Sequence, residues 1–378
     1  MSTKKVLIIS MTCGEGHNNL AKTVVSALND EGVETKSIQL YGFSKKRVDF
    51  ENNLFLAVYT NFPGIYSKIW HSQRNRNPKR KYKGYMSTVI KACKDYILKE
   101  IQDYKPDAVV TTHNNAGAVV SYLREENLID KKIKLFGLGF DYCRCPLWET
   151  NLALDYVFLT HEELIDEYIN LGFNKEQLLP YGIPVHKRFT QNVTKEEARK
   201  DLGIDQEKFV VVLYSGGNCI SPNFPLVKAL LKAKGVPSQI VAVCGRNEKQ
   251  KKLIDNYIAK HNITNVTSLG FTNDLDKYFR AADVVFTRGG GAGITEQINI
   301  NVPFVFREKL ILNEKINKEL FKELGLGLGI EKISEATAML ETLYANPEML
   351  QKMTECSKAF SRPDARKNIT NKILSEIA

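Results

Sequence analysis

Short apolar runs rich in β-branched residues alternate along this chain with segments of helical periodicity, and no other feature constrains the fold as strongly. The alternation occurs in two series, the first over roughly residues 6–171 and the second over roughly residues 195–324. Strands that alternate with helices form parallel sheets covered by helices on both faces. We therefore expect an α/β protein with two Rossmann-like domains, each a doubly wound parallel sheet.

The length of 378 residues suits two domains, because domains usually contain about 50–250 residues. We place an N-terminal domain at residues 1–185 and a C-terminal domain at residues 186–350. Residues 351–378 are expected to form a C-terminal helix that can pack back on the N-terminal domain. Parallel sheets bind ligands at the carboxyl ends of their strands, so site residues are expected in the loops that follow strands.

The composition predicts a cytoplasmic protein. No stretch reaches the roughly 18–20 uninterrupted apolar residues of a membrane-spanning helix, and the apolar run at residues 6–10 is too short for a signal peptide. Seven scattered cysteines lack the usual zinc and redox spacings, so we expect reduced thiols. The six histidines also lack the spacing of a metal site, and no metal is expected.

Three glycine-bearing turns follow predicted strands, at residues 13–17, 215–218 and 288–293. Glycine lets a ligand approach the backbone closely, and the amides of a following helix N-terminus can hold a phosphate. Any one such turn can also serve strand-to-helix geometry alone. None carries the full dinucleotide pattern or the Walker ending, which argues against a dehydrogenase and against a phosphate-loop nucleotidase.

Glu296 follows the third turn and is predicted to lie in the first turn of a helix at residues 294–300. A carboxylate at this place can accept both hydroxyl hydrogens of a ribose, while the glycine amides and Arg288 face the phosphates. The alternative is an acid that only complements the helix dipole.

A basic block and an aromatic segment adjoin each other in the N-terminal half. Nine Lys or Arg residues and no acid lie between residues 68 and 94, in a chain of net charge +10. The preceding segment, about residues 50–70, is rich in large apolar side chains. This order is typical of a membrane interface, where apolar residues dip into the bilayer and cations hold anionic head groups. The alternatives are a buried helix pair with a solvated basic face and a nucleic-acid interface.

Five short motifs occur in a fixed order: GEGH at 14–17, CGRN at 244–247, GF at 270–271, AD at 282–283 and RGGGAGITE at 288–296. With the following Pro303, they resemble family 28 glycosyltransferases related to monogalactosyldiacylglycerol synthase and bacterial processive diacylglycerol glucosyltransferase. A more remote resemblance is to the peptidoglycan lipid-intermediate GlcNAc transferase. The resemblance covers about residues 4–345 and implies the GT-B fold, in which two Rossmann-like domains face each other across a cleft.

The resemblance implies a UDP-sugar donor site in the second domain. The turn at 270–272 would contact uracil, Glu296 the ribose and the turn at 289–293 the diphosphate. Glu314 and Asn317 would hold the sugar hydroxyls. With the members of these two turns written out, the residues expected at the donor besides Glu296, Glu314 and Asn317 are Gly16, Gly216, Gly217, Arg246, Gly270, Phe271, Thr272, Arg288, Gly289, Gly290, Gly291, Ala292 and Gly293.

His17 and Asp141 are the catalytic candidates. An acceptor hydroxyl is a weak acid, so its attack on the anomeric carbon needs a base, and a neutral imidazole is suited to that task. The resemblance associates the position of His17 with catalysis at the acceptor side, and Asp141 matches an aspartate of the related enzymes. The alternatives are that His17 only caps a helix and that Asp141 only organises its own loop.

The acceptor and the membrane are expected to meet the N-terminal domain. The residues assigned to this surface are Phe55, Tyr59, Trp70, Arg74, Arg76, Lys79, Arg80, Lys81, Lys83 and Trp148. In the related lipid glycosyltransferases this part of the chain is where membrane and acceptor meet.

We predict an enzyme that moves a hexose, with glucose favoured, from a UDP-sugar to diacylglycerol or a glycosyl-diacylglycerol, with inversion at the anomeric carbon. Its expected partners are the UDP-hexose, the lipid acceptor and an anionic membrane surface, and no nucleic acid. The expected location is the inner face of the plasma membrane, and no cofactor is needed beyond an accessory Mg²⁺. The alternatives are a transferase acting on a non-lipid or peptidoglycan-precursor acceptor and a non-enzymatic nucleic-acid-binding protein.

Overall fold

The computed structural model describes residues 3–12, 16–76 and 81–378, apart from the side chains of residues 56, 59, 60 and 63. The chain forms two compact units: unit 1 consists of Met1–His186 and Arg362–Ala378, and unit 2 of Lys187–Ser361. Part of the first glycine turn, at residues 13–15, lies outside the described residues, as do Lys79, Arg80 and the side chain of Tyr59.

Unit 1 is built on a six-stranded sheet in which every pairing is parallel. Its strands are β1 (Lys5–Ser10), β2 (Glu34–Gln39), β3 (Ala108–Thr111), β4 (Lys134–Leu138), β5 (Tyr156–Phe158) and β6 (Leu178–Leu179). Their spatial order is β2-β1-β3-β4-β5-β6. The strand order reverses between β1 and β3, and the carboxyl end of such a switch point is where parallel sheets bind ligands.

Six α-helices accompany this sheet in the described part of residues 16–169. They are α1 (Gly16–Asp30), α2 (Lys45–Asn61), α3 (Pro63–Arg74), α4 (Tyr85–Tyr104), α5 (Asn114–Glu125) and α6 (Ile165–Ile169). The inner strands β1 and β3 are almost wholly buried, because helices cover both faces of the sheet. This explains why these strands are continuous apolar runs and do not alternate between apolar and polar residues.

Unit 2 repeats the architecture with a second six-stranded parallel sheet. Its strands are β7 (Phe209–Leu213), β8 (Ser238–Val243), β9 (Val266–Leu269), β10 (Val284–Thr287), β11 (Phe304–Phe306) and β12 (Gly327–Gly329), in the spatial order β12-β11-β10-β7-β8-β9. Its helices are α7 (Lys195–Leu202), α8 (Phe224–Leu230), α9 (Glu248–His261), α10 (Leu275–Ala281), α11 (Gly291–Ile300), α12 (Leu312–Glu323), α13 (Ala336–Ala345) and α14 (Pro347–Phe360). The switch point lies between β10 and β7. The expected α/β fold with two Rossmann-like parallel-sheet domains is confirmed.

The C-terminal segment contains two helices, where the sequence suggested one. The helix α14 stays with unit 2, and the chain then passes Arg362 to form α15 (Ala365–Ile377), which belongs to unit 1. Within unit 1, Arg366 pairs with Asp30 on α1 at 2.7 Å, and Glu376 accepts a hydrogen bond from the Tyr156 hydroxyl at 2.8 Å. The last helix therefore completes the covering of the first sheet.

Candidate functional site

In unit 2, the loops after β7 and β8 meet at the carboxyl edge of the sheet. The Arg246 N–H donates to the Gly217 carbonyl oxygen at 2.8 Å. Gly245 has φ +54°, and a Cβ on it would lie 2.1 Å from that same oxygen, so only glycine permits this approach. Two of the predicted donor loops are therefore in direct backbone contact.

The third glycine turn leads from β10 directly into α11. Gly289 has φ +79°, and a Cβ there would lie 2.1 Å from the Phe306 ring, whereas a Cβ on Gly290 would meet open space. Gly290 is the N-cap residue of α11, and the first turn of this helix contains no acidic side chain. Its first N–H groups lack intrahelical partners and, with the helix dipole, favour an anion.

Glu296 lies in the second turn of α11, one turn later than the sequence suggested, because the helix already begins at Gly291. Its carboxyl group is half-buried and has no hydrogen-bond partner among the described residues. Burial raises the pKa of Glu296 to about 8, against a smaller opposing effect of Arg188. A half-buried acid without a partner, beside an anion-binding turn, is available to a ligand that brings hydroxyl groups.

Arg288 and Glu314 form a buried, two-point ion pair. Arg288 donates from Nε to Glu314 Oε1 at 3.0 Å and from Nη2 to Glu314 Oε2 at 2.7 Å. Its Nη1 donates to Ser221 Oγ at 2.6 Å. Asn317 donates from Nδ2 to the Gly289 carbonyl oxygen at 3.0 Å. The fold thus brings Arg288, Glu314 and Asn317 together, and these hydrogen bonds link α12 to the turn after β10.

The turn after β9 presents an exposed aromatic ring. Phe271 is 59% exposed, and the Arg246 guanidinium carbon lies 4.8 Å from its ring centroid. The Thr272 hydroxyl accepts the Asp274 N–H at 3.0 Å, which orders the turn. A large apolar ring kept at the surface beside a cation is suited to stacking on a planar ligand.

In unit 1, His17 lies near the start of α1, at the switch point between β1 and β3. Its Nδ1 is 2.5 Å from the Thr112 carbonyl oxygen and must donate, so Nε2 carries the lone pair of the neutral ring. Burial lowers the pKa of His17 to about 4. Its ring lies 4.5 Å from that of Phe140, which also lies against Gly16. The structure thus presents a neutral imidazole with one unprotonated nitrogen.

His113 is a site residue that the sequence analysis missed. Its ring centroid lies 4.6 Å from that of His17, and its Nδ1 accepts the Asn115 N–H at 3.0 Å, which caps α5. Burial and the neighbouring His17 both hold the pKa of His113 well below its usual range. The available signal was its position directly after the predicted strand at residues 108–112.

Asp141 follows β4, and the adjacent Phe140 contacts His17, so the two catalytic candidates belong to one edge of the sheet. The Cys145 thiol donates to Asp141 Oδ2 at 3.1 Å, and the Thr160 hydroxyl donates to the Asp141 carbonyl oxygen at 3.1 Å. The carboxylate of Asp141 therefore also organises its own loop.

Several of the residues assigned to the membrane surface are buried or paired in the structure. Trp70 and Trp148 are buried and cannot enter a bilayer in this conformation. Three of the assigned cations form ion pairs within unit 1: Arg74 with Glu167, Arg76 with Glu149 and Lys81 with Glu125, at 2.7–2.8 Å. Among the described side chains of this region, the exposed large apolar residues are Phe50, Leu54, Phe62, Ile65 and Ile69. We call these five residues, which lie on α2, on α3 and, for Phe62, between the two helices, the apolar stripe; Phe55, in contrast, is half-buried.

Within residues 3–12, 16–76 and 81–378, no helix combines the length and apolar character needed to cross a bilayer. No cluster of three or more His, Cys, Asp or Glu side chains in the same ranges is placed to hold a metal ion.

Two family models match successive regions of this chain. Residues 17–185 match the family model of monogalactosyldiacylglycerol synthase, and residues 215–369 match that of the glycosyltransferase family 28 C-terminal domain. The processive diacylglycerol beta-glucosyltransferase of Bacillus pumilus is 24% identical over 378 residues, covering 99% of this chain and 96% of that protein. That of Bacillus cereus strain B4264 is 26% identical over 376 residues, covering 98% and 94%.

Solved structures share the fold over the whole chain. MurG of Acinetobacter baumannii superposes with a TM-score of 0.67 at 15% identity, covering 99% of this chain and 100% of that one. HepE of Anabaena in complex with UDP superposes with a TM-score of 0.57 at 13% identity, covering 98% and 100%. The fold is therefore GT-B, and the chain belongs to the GT-B glycosyltransferases that join a monogalactosyldiacylglycerol synthase region to a family 28 C-terminal domain.

Proposed function

We propose that this protein transfers a hexose, glucose in preference to galactose or GlcNAc, from a UDP-sugar to the free hydroxyl of diacylglycerol or of a glycosyl-diacylglycerol. Unit 2 binds the donor and unit 1 supplies the base. The names of the relatives support the lipid acceptor and the glucosyl group, and the UDP complex of HepE supports the nucleotide.

The observation that carries the proposal is Glu296 beside the turn of Gly289 and Gly290. The carboxyl group has no hydrogen-bond partner among the described residues, and burial raises its pKa to about 8. A ribose diol suits the Glu296 carboxyl group, because two hydroxyl groups can donate to the two carboxylate oxygens. The diphosphate then takes the unpaired N–H groups at the start of α11.

The chemistry is a single displacement with inversion. The neutral Nε2 of His17 removes the proton from the acceptor hydroxyl as the oxygen attacks the anomeric carbon, and UDP leaves. The α11 amides stabilise the charge that develops on the diphosphate, an effect typically worth a few kcal/mol per well-placed donor. Asp141 belongs to the same edge as His17 and supports the acceptor side.

The experiment that tests the activity offers labelled UDP-glucose, UDP-galactose and UDP-GlcNAc with diacylglycerol in mixed micelles. We expect labelled glycolipid, with the highest rate from UDP-glucose. Transfer to a peptidoglycan precursor and none to diacylglycerol would contradict the lipid acceptor. Absence of UDP binding in calorimetry would contradict the donor site.

The apolar stripe is proposed to insert into an anionic membrane, and the exposed Lys68 and Lys83 of the basic block are proposed to contact its head groups. Replacing Ile65 and Ile69, each more than half exposed, by serine is expected to weaken binding to phosphatidylglycerol vesicles about tenfold or more. The physical reason is that burying one such side chain contributes roughly 1.5–3 kcal/mol. Vesicle co-sedimentation of the full chain measures this.

The matched control for the stripe is Leu253→Ser, an exposed leucine on α9 of unit 2. It should leave vesicle binding unchanged, and neither variant should alter UDP affinity. Neutralising Lys68 and Lys83 to glutamine should reduce binding further at low salt, since each cation near an anionic surface contributes about 1 kcal/mol. Equal vesicle binding by the wild type and the Ile65/Ile69 variant would refute the role of the stripe.

A further inference from the structure

A second histidine, His113, lies beside His17 in unit 1, just after β3, and is the N-cap residue of α5. The centroids of the two rings are 4.6 Å apart, and the rings are tilted by 60° to each other. The preceding residue, Thr112, accepts from His17 Nδ1 with its carbonyl oxygen and donates its hydroxyl to the His17 carbonyl oxygen at 3.3 Å. The segment after β3 therefore holds both rings at one edge of the sheet.

The two rings have opposite hydrogen-bonding polarity at Nε2. His17 donates from Nδ1, so its Nε2 has a lone pair. His113 accepts the Asn115 N–H at Nδ1, at 3.0 Å, so the hydrogen of its neutral ring lies on Nε2. Burial and the neighbouring His17 hold the pKa of His113 well below its usual range, so this ring is neutral at neutral pH. One ring can accept a proton, whereas the other can only donate a hydrogen bond from Nε2.

The first turn of α5 fixes the orientation of His113. Asn114 donates from Nδ2 to the Pro146 carbonyl oxygen at 2.6 Å, and Asn115 donates from Nδ2 to the Tyr85 hydroxyl at 2.9 Å. The His113 side chain is half-buried, and its Nε2 has no hydrogen-bond partner among the described residues. A fixed and partly desolvated N–H group beside the base is available to an oxygen of the ligand.

The attacking hydroxyl is a poor partner for this N–H group. A hydrogen bond donated to the attacking oxygen would withdraw the electron density that proton removal by His17 supplies. An oxygen on the neighbouring carbon of the acceptor has no such conflict. In diacylglycerol this is an ester oxygen, and in a glycosyl-diacylglycerol it is a ring oxygen or a hydroxyl, all of which accept hydrogen bonds.

We propose that His113 binds the acceptor by donating from Nε2 to the oxygen on the carbon next to the one that bears the attacking hydroxyl. This bond directs the hydroxyl to Nε2 of His17. His113 is thus a specificity-determining residue, which favours acceptors with two neighbouring oxygens. The inference rests on the proposed transfer to diacylglycerol and does not involve the donor site of unit 2.

Two substitutions separate the hydrogen bond to the acceptor from the cap on α5. His113→Asn keeps an oxygen near the place of Nδ1, and asparagine is a preferred N-cap residue, but its side chain is too short to reach the place of Nε2. His113→Gln keeps an N–H group near the place of Nε2 and loses the cap. The measurements are kcat/KM for diacylglycerol in mixed micelles, UDP affinity by calorimetry and the melting temperature.

His113→Asn is expected to lower kcat/KM for diacylglycerol about tenfold, with unchanged UDP affinity and melting temperature, because one hydrogen bond to the acceptor is lost. His113→Gln should keep kcat/KM within about threefold of the wild type and should melt at a lower temperature. His261→Asn, the same change at an exposed position of unit 2, is the matched control and should alter none of these values. The reverse pattern, with His113→Gln impaired and His113→Asn fully active, would overturn the proposal, since His113 would then serve only as a cap.

A change of acceptor tests the same hydrogen bond. The comparison acceptor is a branched primary alcohol with two chains of matched length and no oxygen beside the hydroxyl-bearing carbon. The wild type should prefer diacylglycerol by about tenfold or more, because a site built to donate to an oxygen rejects the analogue that lacks it. His113→Asn should use the alcohol as well as the wild type does, and an equal loss with both acceptors would overturn the proposal. Should His113→Asn fail to fold, the wild type and His113→Gln carry the comparison, and equal use of both acceptors by either would overturn it.

The failure of the proposed function gives a different result. If the wild type transfers sugar to neither acceptor, the lipid acceptor itself is wrong and this inference falls with it. If the wild type glycosylates diacylglycerol and His113→Asn does so equally well, only the role of His113 is wrong.

Discussion

Replacing His17 by alanine is expected to lower the rate of sugar transfer at least about a hundredfold while leaving UDP affinity unchanged. Loss of a general base typically costs about 10²–10⁴-fold, and His17 belongs to unit 1, whereas the proposed donor site belongs to unit 2. The measurements are initial rates with saturating donor in mixed micelles and calorimetry with UDP. Because kcat falls and donor affinity does not, the effect is distinct from loss of the donor site.

The pH dependence of the wild type gives a second readout of His17. A base with a pKa of about 4 stays unprotonated to lower pH than an ordinary imidazole of 6.5, so the acidic limb controlled by His17 should lie well below 6.5. The control variant is His261→Ala, an exposed histidine at the end of α9, which should retain full activity. Near-normal turnover by His17→Ala would exclude this residue as the base.

Replacing Glu296 by glutamine is expected to weaken UDP binding at least about a hundredfold and, at the same time, to stabilise the folded protein at neutral pH. The first effect follows from the loss of an acceptor for two ribose hydroxyls that is charged above its pKa of about 8, since hydrogen bonds to charged groups contribute about 1.5–3 kcal/mol each. Calorimetry with UDP at a pH above this pKa measures it.

The stabilisation follows from the raised pKa of Glu296. The folded-state pKa is about 8 and the ordinary value is 4.5, so the folded chain holds the proton more tightly than the unfolded chain does. Below pH 4.5 both states are protonated and the group has no effect; between 4.5 and 8 stability is lost as the pH rises, and above 8 the loss is constant. After allowance for solvent access, the loss is on the order of 1–3 kcal/mol.

Thermal unfolding of Glu296→Gln and wild type at pH 5 and pH 8 tests this. The melting temperatures should differ little at pH 5, and the variant should melt higher at pH 8. A variant that is less stable than wild type at pH 8 would show that Glu296 stabilises the fold, and would contradict its proposed role as a ligand-binding residue. Such an exchange of stability for binding is common at functional sites.

The sequence predicts the two parallel sheets and the location of the site because both follow from local patterns. Strand runs and glycine turns are short-range features, and the turns at 215–218 and 288–293 do flank the switch point between β7 and β10. The start of α11 was harder to predict, since glycine is a poor helix former. Gly293 nevertheless lies inside the helix, where a Cβ would approach the Tyr214 ring to 2.9 Å.

Contacts between distant segments have no sequence signal. The density of cations at residues 68–94 is visible in the sequence, but the partners of Arg74 and Arg76 lie 93 and 73 residues further along the chain. Only the fold shows that these cations hold unit 1 together while the apolar stripe faces outward. The hydrogen bond between Arg288 and Ser221 has the same character, since 67 residues separate the two.

The helix α15 has a consequence for how this protein is made. Unit 1 combines a segment that precedes unit 2 in the sequence with the helix α15, which follows unit 2 and packs on α1 and on β4. Unit 2, which is continuous in sequence, can close its core during synthesis, whereas unit 1 must wait until α15 has left the ribosome. A nascent chain, or one shortened before α15, should therefore complete the unit with the proposed donor site earlier than the unit that carries His17.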